Sequence, residues 1–309
     1  MKKLLVALGI SLLGCGTDPA SGPEILPDLT VPPAPDNGLQ IITPPFDNIQ
    51  AGGDYEVCTW TDAVFDKETD VKSTLGYQTE PPGHHVVLFY TTEKQPAGTQ
   101  RICTDTDMAT FRYLTGNGNN GSVNAAPGDL VFKIPAGAQL VVNQHFLNAS
   151  DETMRGQSAI NVNFAPPGNH VASSSMAIVN SGLDVAQGTS TQQMHCDVDR
   201  QFKLWYLIPH EHRWGSHITV DLTRSGTRQN YFDLDWAEQY TFHPPEMRMD
   251  PAEPLILNPG DKIDVSCSWN NTEGRDLPFG FEMCVVFGQF VDDQAIGSWA
   301  CDNGHWDVF

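Results

Sequence analysis

Apolar residues in this chain occur in short runs that alternate with polar positions or end at clusters of proline and glycine. Runs of this length, bounded by turn residues, predict β-strands. They are Asp54–Trp60, His84–Thr92, Leu130–Ile134, Ala138–Leu147, Ser158–Phe164, Phe202–Ile208, Ser216–Leu222, Ile263–Trp269 and Glu282–Val291. Because no segment sustains an apolar period of 3.6 residues, the pattern predicts an all-β fold.

Clusters of turn residues separate the predicted strands. The clearest are Pro81-Pro82-Gly83, Pro127-Gly128, Pro166-Pro167-Gly168-Asn169 and Asn258-Pro259-Gly260-Asp261. Strands without helices are expected to bury their apolar faces between packed sheets, and 309 residues fit two domains of ordinary size. The sequence therefore predicts two antiparallel β-sandwich domains, at 39–166 and 167–309.

The N-terminus has the pattern of an export signal. Two lysines precede an apolar stretch from Leu4 to Leu13, which is too short to span a bilayer, and a glycine precedes Cys15. We interpret residues 1–15 as a lipoprotein signal with Cys15 as the acylated residue; in an ordinary secretory signal, the alternative, Cys15 is incidental. Gly16 in place of aspartate resembles lipoproteins sorted to the outer membrane of Gram-negative bacteria.

Residues 16–38 are rich in proline and small residues, which predicts a semi-extended linker. Without the two lysines of the signal, 15 basic residues face 38 acidic ones, a formal charge of −23. This charge argues against nucleic acid and anionic membrane surfaces as partners, and solubility is a sufficient explanation for it. Contact with a membrane is therefore expected only through the lipid anchor.

Six cysteines remain beyond Cys15. An even number in an exported chain implies three disulfides, with fifteen pairings open. The absence of any C-x-x-C pair disfavours a zinc or thioredoxin-like site. The six are Cys58, Cys103, Cys196, Cys267, Cys284 and Cys301.

His210 and His212 form the strongest candidate ligand pair. Side chains two residues apart on a strand point to the same face. Four apolar residues share the parity of both histidines: Phe202, Leu204, Tyr206 and Ile208. Both imidazoles are then expected where an apolar face leaves the core, an arrangement that suits metal chelation. The alternative is two surface histidines beyond the strand end.

His84 and His85 precede an apolar run that predicts a central strand. Adjacent side chains on a regular strand point to opposite faces, so two ligands for one metal require a bulge, which Pro81-Pro82-Gly83 could supply. His145 lies in another predicted strand. The alternatives are one packed and one solvated ring for the His-His pair, and a hydrogen-bonded core histidine for His145.

Met283 adds a thioether to these imidazoles. A methionine in a strand ordinarily fills the core, but a disulfide at the neighbouring Cys284 would fix the backbone well enough to aim a weak ligand. Imidazole together with thioether is a preference of copper, since sulfur favours Cu(I) and nitrogen also suits Cu(II). These ligand types therefore indicate copper and redox chemistry.

Taken in order, the motifs resemble the copper type II, ascorbate-dependent monooxygenases, the family of peptidylglycine α-hydroxylating monooxygenase and dopamine β-monooxygenase. The likeness covers nearly the whole chain after the linker. Its landmarks are His84-His85, Asn143-Gln144-His145-Phe146, His210-Glu211-His212-Arg213-Trp214-Gly215 and Glu282-Met283-Cys284.

The resemblance implies two tandem jelly-roll-like β-sandwich domains, each with one copper ion. The electron-transfer copper would be bound by His84, His85 and His145. The catalytic copper, where dioxygen and a substrate C–H bond react, would be bound by His210, His212 and Met283. Ascorbate or a similar one-electron reductant would be the co-substrate. The implied disulfides are Cys58–Cys103, Cys196–Cys301 and Cys267–Cys284.

Three pocket positions depart from the peptide-amidating members of the family. Their arginine two residues before the His-x-His pair corresponds to Ile208 here. Their asparagine and tyrosine after the methionine correspond to Val285 and Phe287. The apolar pocket wall that results favours a small apolar or aromatic substrate over an anionic peptide. A further departure, from both the amidating and the catecholamine enzymes, is Val86, where they have a methionine after His-His.

The leading hypothesis is a two-copper monooxygenase that hydroxylates such a substrate with dioxygen. The alternative is a non-catalytic copper-binding lipoprotein of the cell envelope that sequesters or delivers metal, and Met247 and Met249 could join its ligands. A third interpretation is a structural or carbohydrate-binding sandwich with incidental histidines. The sequence leaves the physiological substrate, the natural reductant and the oligomeric state open.

Overall fold

The computed structural model describes residues 24–118, 120–241 and 244–308, and these residues form an all-β protein. The proposed signal and Cys15 lie outside this part of the chain. In it, no helix is long and apolar enough to cross a membrane. The helices are one α-helix, α1, at Asp105–Thr110 and one 3-10 turn at Glu238–Thr241.

Strands of the N-terminal half run from Gly38 to Phe164. They are β1 Gly38–Ile42, β2 Phe46–Ile49, β3 Asp54–Val64, β4 Thr69–Gln78, β5 Gly83–Thr91, β6 Gln100–Ile102, β7 Arg112–Asn117, β8 Val123–Ala125, β9 Leu130–Ile134, β10 Gln139–Leu147, β11 Met154–Gly156 and β12 Ser158–Phe164. Strands of the C-terminal half are β13 Val171–Val179, β14 Asp184–Val185, β15 Gly188–Asp197, β16 Phe202–His210, β17 Gly215–Arg224, β18 Thr227–Asp235, β19 Met247–Arg248, β20 Leu255–Leu257, β21 Lys262–Asn271, β22 Leu277–Pro278, β23 Val285–Asp292, β24 Trp299–Asp302 and β25 His305–Val308.

All nine strands predicted from the apolar pattern are present. Each predicted run overlaps one long strand, namely β3, β5, β9, β10, β12, β16, β17, β21 or β23. Four long strands, β4, β13, β15 and β18, and the shorter strands were not predicted. In β4, apolar residues are interrupted by polar ones without strict alternation, as in the stretch Thr69–Leu75.

The sheets pack around two main hydrophobic cores. One sheet of twelve strands includes the path β1-β12-β4-β9-β13-β23-β16-β19 and extends through both halves. Its N-terminal part faces the five-stranded sheet β6-β3-β10-β5-β7 across a core that contains Phe132 and Leu140. Its C-terminal part faces the sheet β15-β21-β17-β18 across a core that contains Phe202 and Trp269. Apolar faces are thus buried between sheets, as in a β-sandwich.

The two halves are joined within the large sheet. Strands β9 and β13 pair in parallel, with Leu130 opposite Val171. The side chain of Trp205, from β16, packs in the N-terminal core. The boundary near residue 166 and the division into two tandem jelly-roll domains both stay predictions.

The second part of the predicted linker lies against the folded body. Residues 24–37 contain no helix or strand, yet Leu26 and Leu29 are buried. The backbone N–H of Leu26 donates to Oε1 of Gln157 at 2.8 Å. Gly38, assigned to the linker from its sequence, begins β1. Residues 24–37, which we call the docked strap, therefore pack on the folded body through their few apolar side chains.

Three disulfides lie among the described residues. They are Cys58–Cys103, Cys196–Cys301 and Cys267–Cys284, the same pairs that the resemblance implies. Disulfides persist in oxidising compartments. They therefore indicate an extracytoplasmic, oxidising environment, which agrees with export.

Candidate metal centre

A β-bulge brings His84 and His85 to the same side of the sheet as His145. In the β10–β5 pairing, His145 lies opposite His85, whereas Phe146 lies opposite Gly83, so His84 is an extra residue on its strand. A bulge of this kind re-aims a side chain that regular pleating would send to the other face. The irregularity required by the sequence is therefore present.

The three rings of this N-terminal group converge through their Nδ1 atoms. His84 Nδ1 lies 2.8 Å from His145 Nδ1 and 3.1 Å from His85 Nδ1. One ligand atom from each residue lies within 4.8 Å of the others. Two nitrogens bound tetrahedrally to one ion at 2.0–2.1 Å would be about 3.4 Å apart. The group could therefore hold a metal ion after small ring movements.

Asp54 selects the tautomer of His145. Nε2–H of His145 donates to Oδ1 of Asp54 at 2.6 Å, and since a carboxylate only accepts, the lone pair of the ring lies on Nδ1. Burial lowers the pKa of His145, but the hydrogen bond to Asp54 and the charges of Glu56 and Asp54 outweigh it and raise that pKa. Asp54 thus points the donor nitrogen of His145 toward the other two rings.

Glu56 adds a second negative charge beside the group. Its Oε1 lies 3.8 Å from His145 Nδ1 and 4.0 Å from His85 Nε2. Burial, followed by the neighbouring imidazoles, lowers the pKa of His84 to about 3 and that of His85 well below its usual range. Neutral imidazoles beside two carboxylates suit a bound cation, because the lone pairs are available and the site carries negative charge.

The C-terminal group follows the parity predicted for β16. Tyr206, Ile208 and His210 line one cavity, and His212, just beyond the strand end, lines it too. The rings of His210 and His212 are 5.0 Å apart and nearly perpendicular. Burial lowers the pKa of His212 to about 4 and that of His210 well below its usual range. Both rings are therefore neutral near pH 7.

The ring of His212 is oriented by a backbone carbonyl. Its Nδ1–H donates to the carbonyl oxygen of Phe281 at 3.1 Å, so that its lone pair lies on Nε2. Met283, two residues after Phe281, lines the same cavity. The contact therefore ties the segment that carries the thioether to the histidine that would share its metal.

Glu282 holds the backbone on both sides of this group. Its carboxylate accepts hydrogen bonds from the backbone N–H of His212 at 3.1 Å, Trp214 at 2.7 Å and Met283 at 3.3 Å. It also accepts one from Nε1 of Trp269 at 3.0 Å. Burial raises the pKa of Glu282 to about 7, against these four donors, which lower it. A fully buried carboxylate thus fixes the loop after β16 to Met283.

Glu211 is a second buried carboxyl on the opposite side of the His-x-His segment. Burial, and then the charge of Glu282, raises the pKa of Glu211 well above its usual range. Two neighbouring buried carboxylates cannot both ionise at low cost. Glu211 therefore stays protonated near pH 7, while Glu282 carries the hydrogen bonds to the ligand segment.

Both histidine groups line one cavity of ≈ 430 Å³. All six predicted ligands contribute to its wall: His84, His85, His145, His210, His212 and Met283. Ile208 and Phe287, two of the predicted pocket residues, line it as well. Val285, the third, lies opposite His210 in the neighbouring strand and is buried; it is not among the described residues that form the wall.

Asp54, Glu56 and Glu282 are site residues that sequence reasoning missed. In β3, Asp54 and Glu56 share one parity, and Glu56 lies opposite His145 in β10. Two successive acidic positions on one face, at the start of a strand that continues with Cys58 and Trp60 on that face, were the available signal. For Glu282 the signal was weaker, since only its position beside Met283 distinguished it.

Comparison with known proteins identifies no family for this chain. No family model matches it, and neither does any curated protein. Among solved structures it is similar to PBCV-1 VP54, in a crystal structure fitted into a cryo-EM reconstruction of the virophage Sputnik. That match has 7% identity and a TM-score of 0.27, and it covers 82% of this chain and 94% of that chain. A likeness this low carries no argument about function.

Proposed function

We propose that this protein is a copper-dependent monooxygenase that hydroxylates a C–H bond of a small apolar or aromatic substrate. The net reaction would insert one atom of dioxygen into the C–H bond and reduce the other to water. Two electrons and two protons are needed, and a one-electron reductant such as ascorbate would supply the electrons.

One observation carries the proposal: two groups of imidazoles, one with a thioether, face a single cavity. A metal centre used only for structure is normally closed by protein ligands, whereas a catalytic one keeps an open position. The N-terminal group consists of three imidazoles, and the C-terminal group of two imidazoles and Met283. This difference in ligands would give the two copper ions different preferences for Cu(I).

Copper, when bound, supplies the one-electron redox chemistry and the activation of dioxygen. The residues of the chain would supply ligand geometry and a shaped, apolar site. Asp54 would keep Nδ1 of His145 available, and Phe281 would keep Nε2 of His212 available. Such contacts to metal-bound histidines commonly set ring orientation and ligand basicity.

Ile208 and Phe287 would bind the apolar part of the substrate beside His210. They lie opposite each other on β16 and β23, and the His210 and Phe287 rings are 6.4 Å apart. An apolar wall there excludes water from the reacting carbon and offers nothing to pair with a carboxylate. A neutral substrate would therefore be preferred.

The proposal is tested with the purified protein loaded with copper. We expect two copper ions per chain and hydroxylation of alkylbenzenes that depends on both ascorbate and dioxygen. His210→Ala should abolish hydroxylation and remove one copper, while His305→Ala, the same change at an exposed histidine of β25, should change neither. Product is measured by mass spectrometry with ¹⁸O₂.

A different result would support metal storage instead. If the protein binds two copper ions but consumes no dioxygen with any reductant and substrate, the enzyme proposal fails. Binding of more than two Cu(I) ions per chain would favour the copper-sequestering alternative. If copper is not retained and His210→Ala has no effect on metal content, the histidines are incidental.

We also propose that the protein is anchored to the outer membrane through a lipid on Cys15. Support comes from the sequence alone, because Cys15 lies outside the described residues. Cys15→Ser should release the protein from the membrane fraction, while the disulfides and copper content stay unchanged. Membrane retention of this variant would remove the lipoprotein assignment.

A further inference from the structure

The C-terminal wall of the cavity is arranged in three rows by the register of its strands. His210 lies opposite Val285 in the first row, Ile208 opposite Phe287 in the second, and Tyr206 opposite Gln289 in the third. Successive rows are two residues apart, which corresponds to about 7 Å along a strand. Along this wall the side chains therefore change from a candidate metal ligand in the first row to apolar residues in the second and polar residues in the third.

Neighbouring strands extend the second and third rows. On β13, Ala177 lies opposite Phe287 and Ser175 opposite Gln289. On β19, Arg248 lies opposite Tyr206. The third row is therefore polar over four adjacent strands, and the residues named from it all line the cavity: Arg248, Tyr206, Gln289 and Ser175.

The N-terminal wall has the same order. In its first row His85 of β5 lies opposite His145 of β10. In the second row Val87 of β5 lies opposite Gly116, and in the third row Phe89 of β5 lies opposite Tyr113 of β7. Val87 and Tyr113 both line the cavity. Tyr206, in the third row of the C-terminal wall, lines the same cavity. The polar ends of both walls therefore face one cavity.

Gln289 carries an unsatisfied polar atom in this third row. The residue is only 5% exposed, yet its Oε1 receives no hydrogen bond from any described residue. Ser122, on the opposite wall, has a buried Oγ in the same condition. A buried acceptor without a partner destabilises the fold, because it has lost its hydrogen bonds to water and gained none in return. Both atoms are closed off from the cavity as the side chains stand. A half-turn of the Gln289 amide about its Cγ–Cδ bond, a soft torsion, would present Oε1 to a ligand that supplies the missing donor.

The charges of the third row are already balanced. Arg248 donates to Glu246 at 2.5 Å and lies 4.7 Å over the ring of Tyr206. Burial, and then the charge of Glu246, raises the pKa of Tyr206 to about 12, so the phenol is neutral. A ligand in contact with this row therefore meets an arginine that is already paired and side chains without charge. This environment suits a ligand group that is polar but neutral.

We infer that the cavity binds an amphiphile whose apolar part lies in the Ile208–Phe287 row and whose N–H or O–H group donates to Gln289. The inference rests on the proposed function only in taking the carbon to be oxidised as the end nearest His210. The ligand class is a neutral aromatic or aliphatic compound with a hydrogen-bond donor about 7 Å from its apolar centre.

A matched pair of probes tests the donor. In 3-phenylpropanamide an amide N–H₂ lies about one row from the phenyl ring, and in 4-phenylbutan-2-one a methyl group replaces that N–H₂. We expect the full-length protein to bind the amide roughly five- to tenfold more tightly, since one hydrogen bond is gained and a buried acceptor is satisfied. Affinity is measured by isothermal titration calorimetry.

Two variants assign the preference to Gln289. Gln289→Leu should bind both probes equally within about twofold, and its melting temperature should be unchanged or higher, since an unsatisfied buried amide is removed. Gln193→Leu, the same change at an exposed position of β15, should keep the preference. Equal binding by the wild type, a preference that survives in Gln289→Leu, or no measurable binding of 3-phenylpropanamide would overturn the inference.

Failure of this inference is separable from failure of the enzyme proposal. Titrations are made with the copper-loaded protein and again after removal of copper by a chelator, and the amide preference is expected in both. If the preference is found without hydroxylation, the binding mode stands and the enzyme proposal fails. If alkylbenzenes are hydroxylated without an amide preference, only the role of Gln289 is rejected.

Discussion

The two histidine groups face one cavity, but different contacts hold them. In the N-terminal group a carboxylate hydrogen-bonds the ring itself, through Asp54 and Nε2 of His145. In the C-terminal group a carbonyl orients the ring of His212, and the carboxylate of Glu282 holds its backbone. The nitrogen that keeps a lone pair for a metal therefore differs: it is Nδ1 in His145 and Nε2 in His212.

This difference indicates different tolerance to change. Rings in the N-terminal group are placed by a bulge and by side chains at the surface of β3, so that loss of one carboxylate should alter the metal site but not the fold. In the C-terminal group the carboxylate is fully buried among four N–H donors. Its loss should therefore destabilise the fold together with the metal site.

Replacement of Glu282 should have the largest effect. Glu282→Ala leaves four buried donors without an acceptor, and we expect a loss of about 3–5 kcal/mol in the free energy of unfolding. The copper ion proposed for the C-terminal group should be lost as well. Chemical denaturation and copper analysis are the measurements. Glu282→Gln keeps one accepting oxygen, so its free energy of unfolding should lie between those of the wild type and Glu282→Ala. Stability equal to wild type in both variants would contradict this role of Glu282.

Removal of the disulfide beside Met283 should have the next largest effect. Cys267 and Cys284 are 17 residues apart, and a loop of this size corresponds to about 3 kcal/mol of stability. The double variant Cys267→Ala and Cys284→Ala should lose that stability and bind Cu(I) more weakly at the C-terminal group, as measured by competition with a Cu(I) chelator. Unchanged Cu(I) affinity would mean that the disulfide does not position the thioether.

Loss of Asp54 should affect the metal site alone. We expect Asp54→Ala to weaken copper binding at the N-terminal group by roughly 10–100-fold, with little change in stability. Asp54→Asn should cost less, because its amide oxygen still accepts from Nε2–H of His145. Asp66→Asn, at an exposed position, is the control. An equal loss at the C-terminal group would show that the two groups are not independently held.

Acid sensitivity at α1 should be the smallest effect. Hydrogen bonds from Arg101, against burial, lower the pKa of Asp107 to about 2. A lowered pKa stabilises the fold fully above the ordinary value of 3.8, and that stability is lost as pH falls through about 2. Between pH 4 and pH 2 the wild type should therefore lose about 1 kcal/mol more than Asp107→Asn, as measured by denaturant titration. Identical losses would contradict the contribution of this pair.

Nine of the strands and the candidate ligands that line the cavity were accessible from the sequence, while the contacts that hold these side chains in place were not. Alternation of apolar residues predicted β16 and its parity, so His210 and His212 were expected on one face, and the bulge at His84 followed from adjacent ligands. Asp54 lies 91 residues from His145, and Glu282 lies 70 residues from His212. Contacts over such distances depend on strand order, which local patterns do not specify.

Gln289 and the docked strap illustrate the same limit. A glutamine in β23 has no local feature that marks it as part of a cavity; its significance comes from the cross-strand register with Tyr206 and Ser175. The proline-rich composition of residues 24–37 correctly indicated the absence of helix and strand. It could not indicate that Leu26 would be buried, because that depends on where the apolar groove lies.

The most direct test of two copper groups facing one cavity is anomalous X-ray diffraction at the copper edge from crystals of the copper-loaded protein. Two peaks are predicted, one bounded by His84, His85 and His145 and one by His210, His212 and Met283, both open to the same cavity. A single peak shared by histidines of both groups, or copper bound elsewhere, would contradict the account.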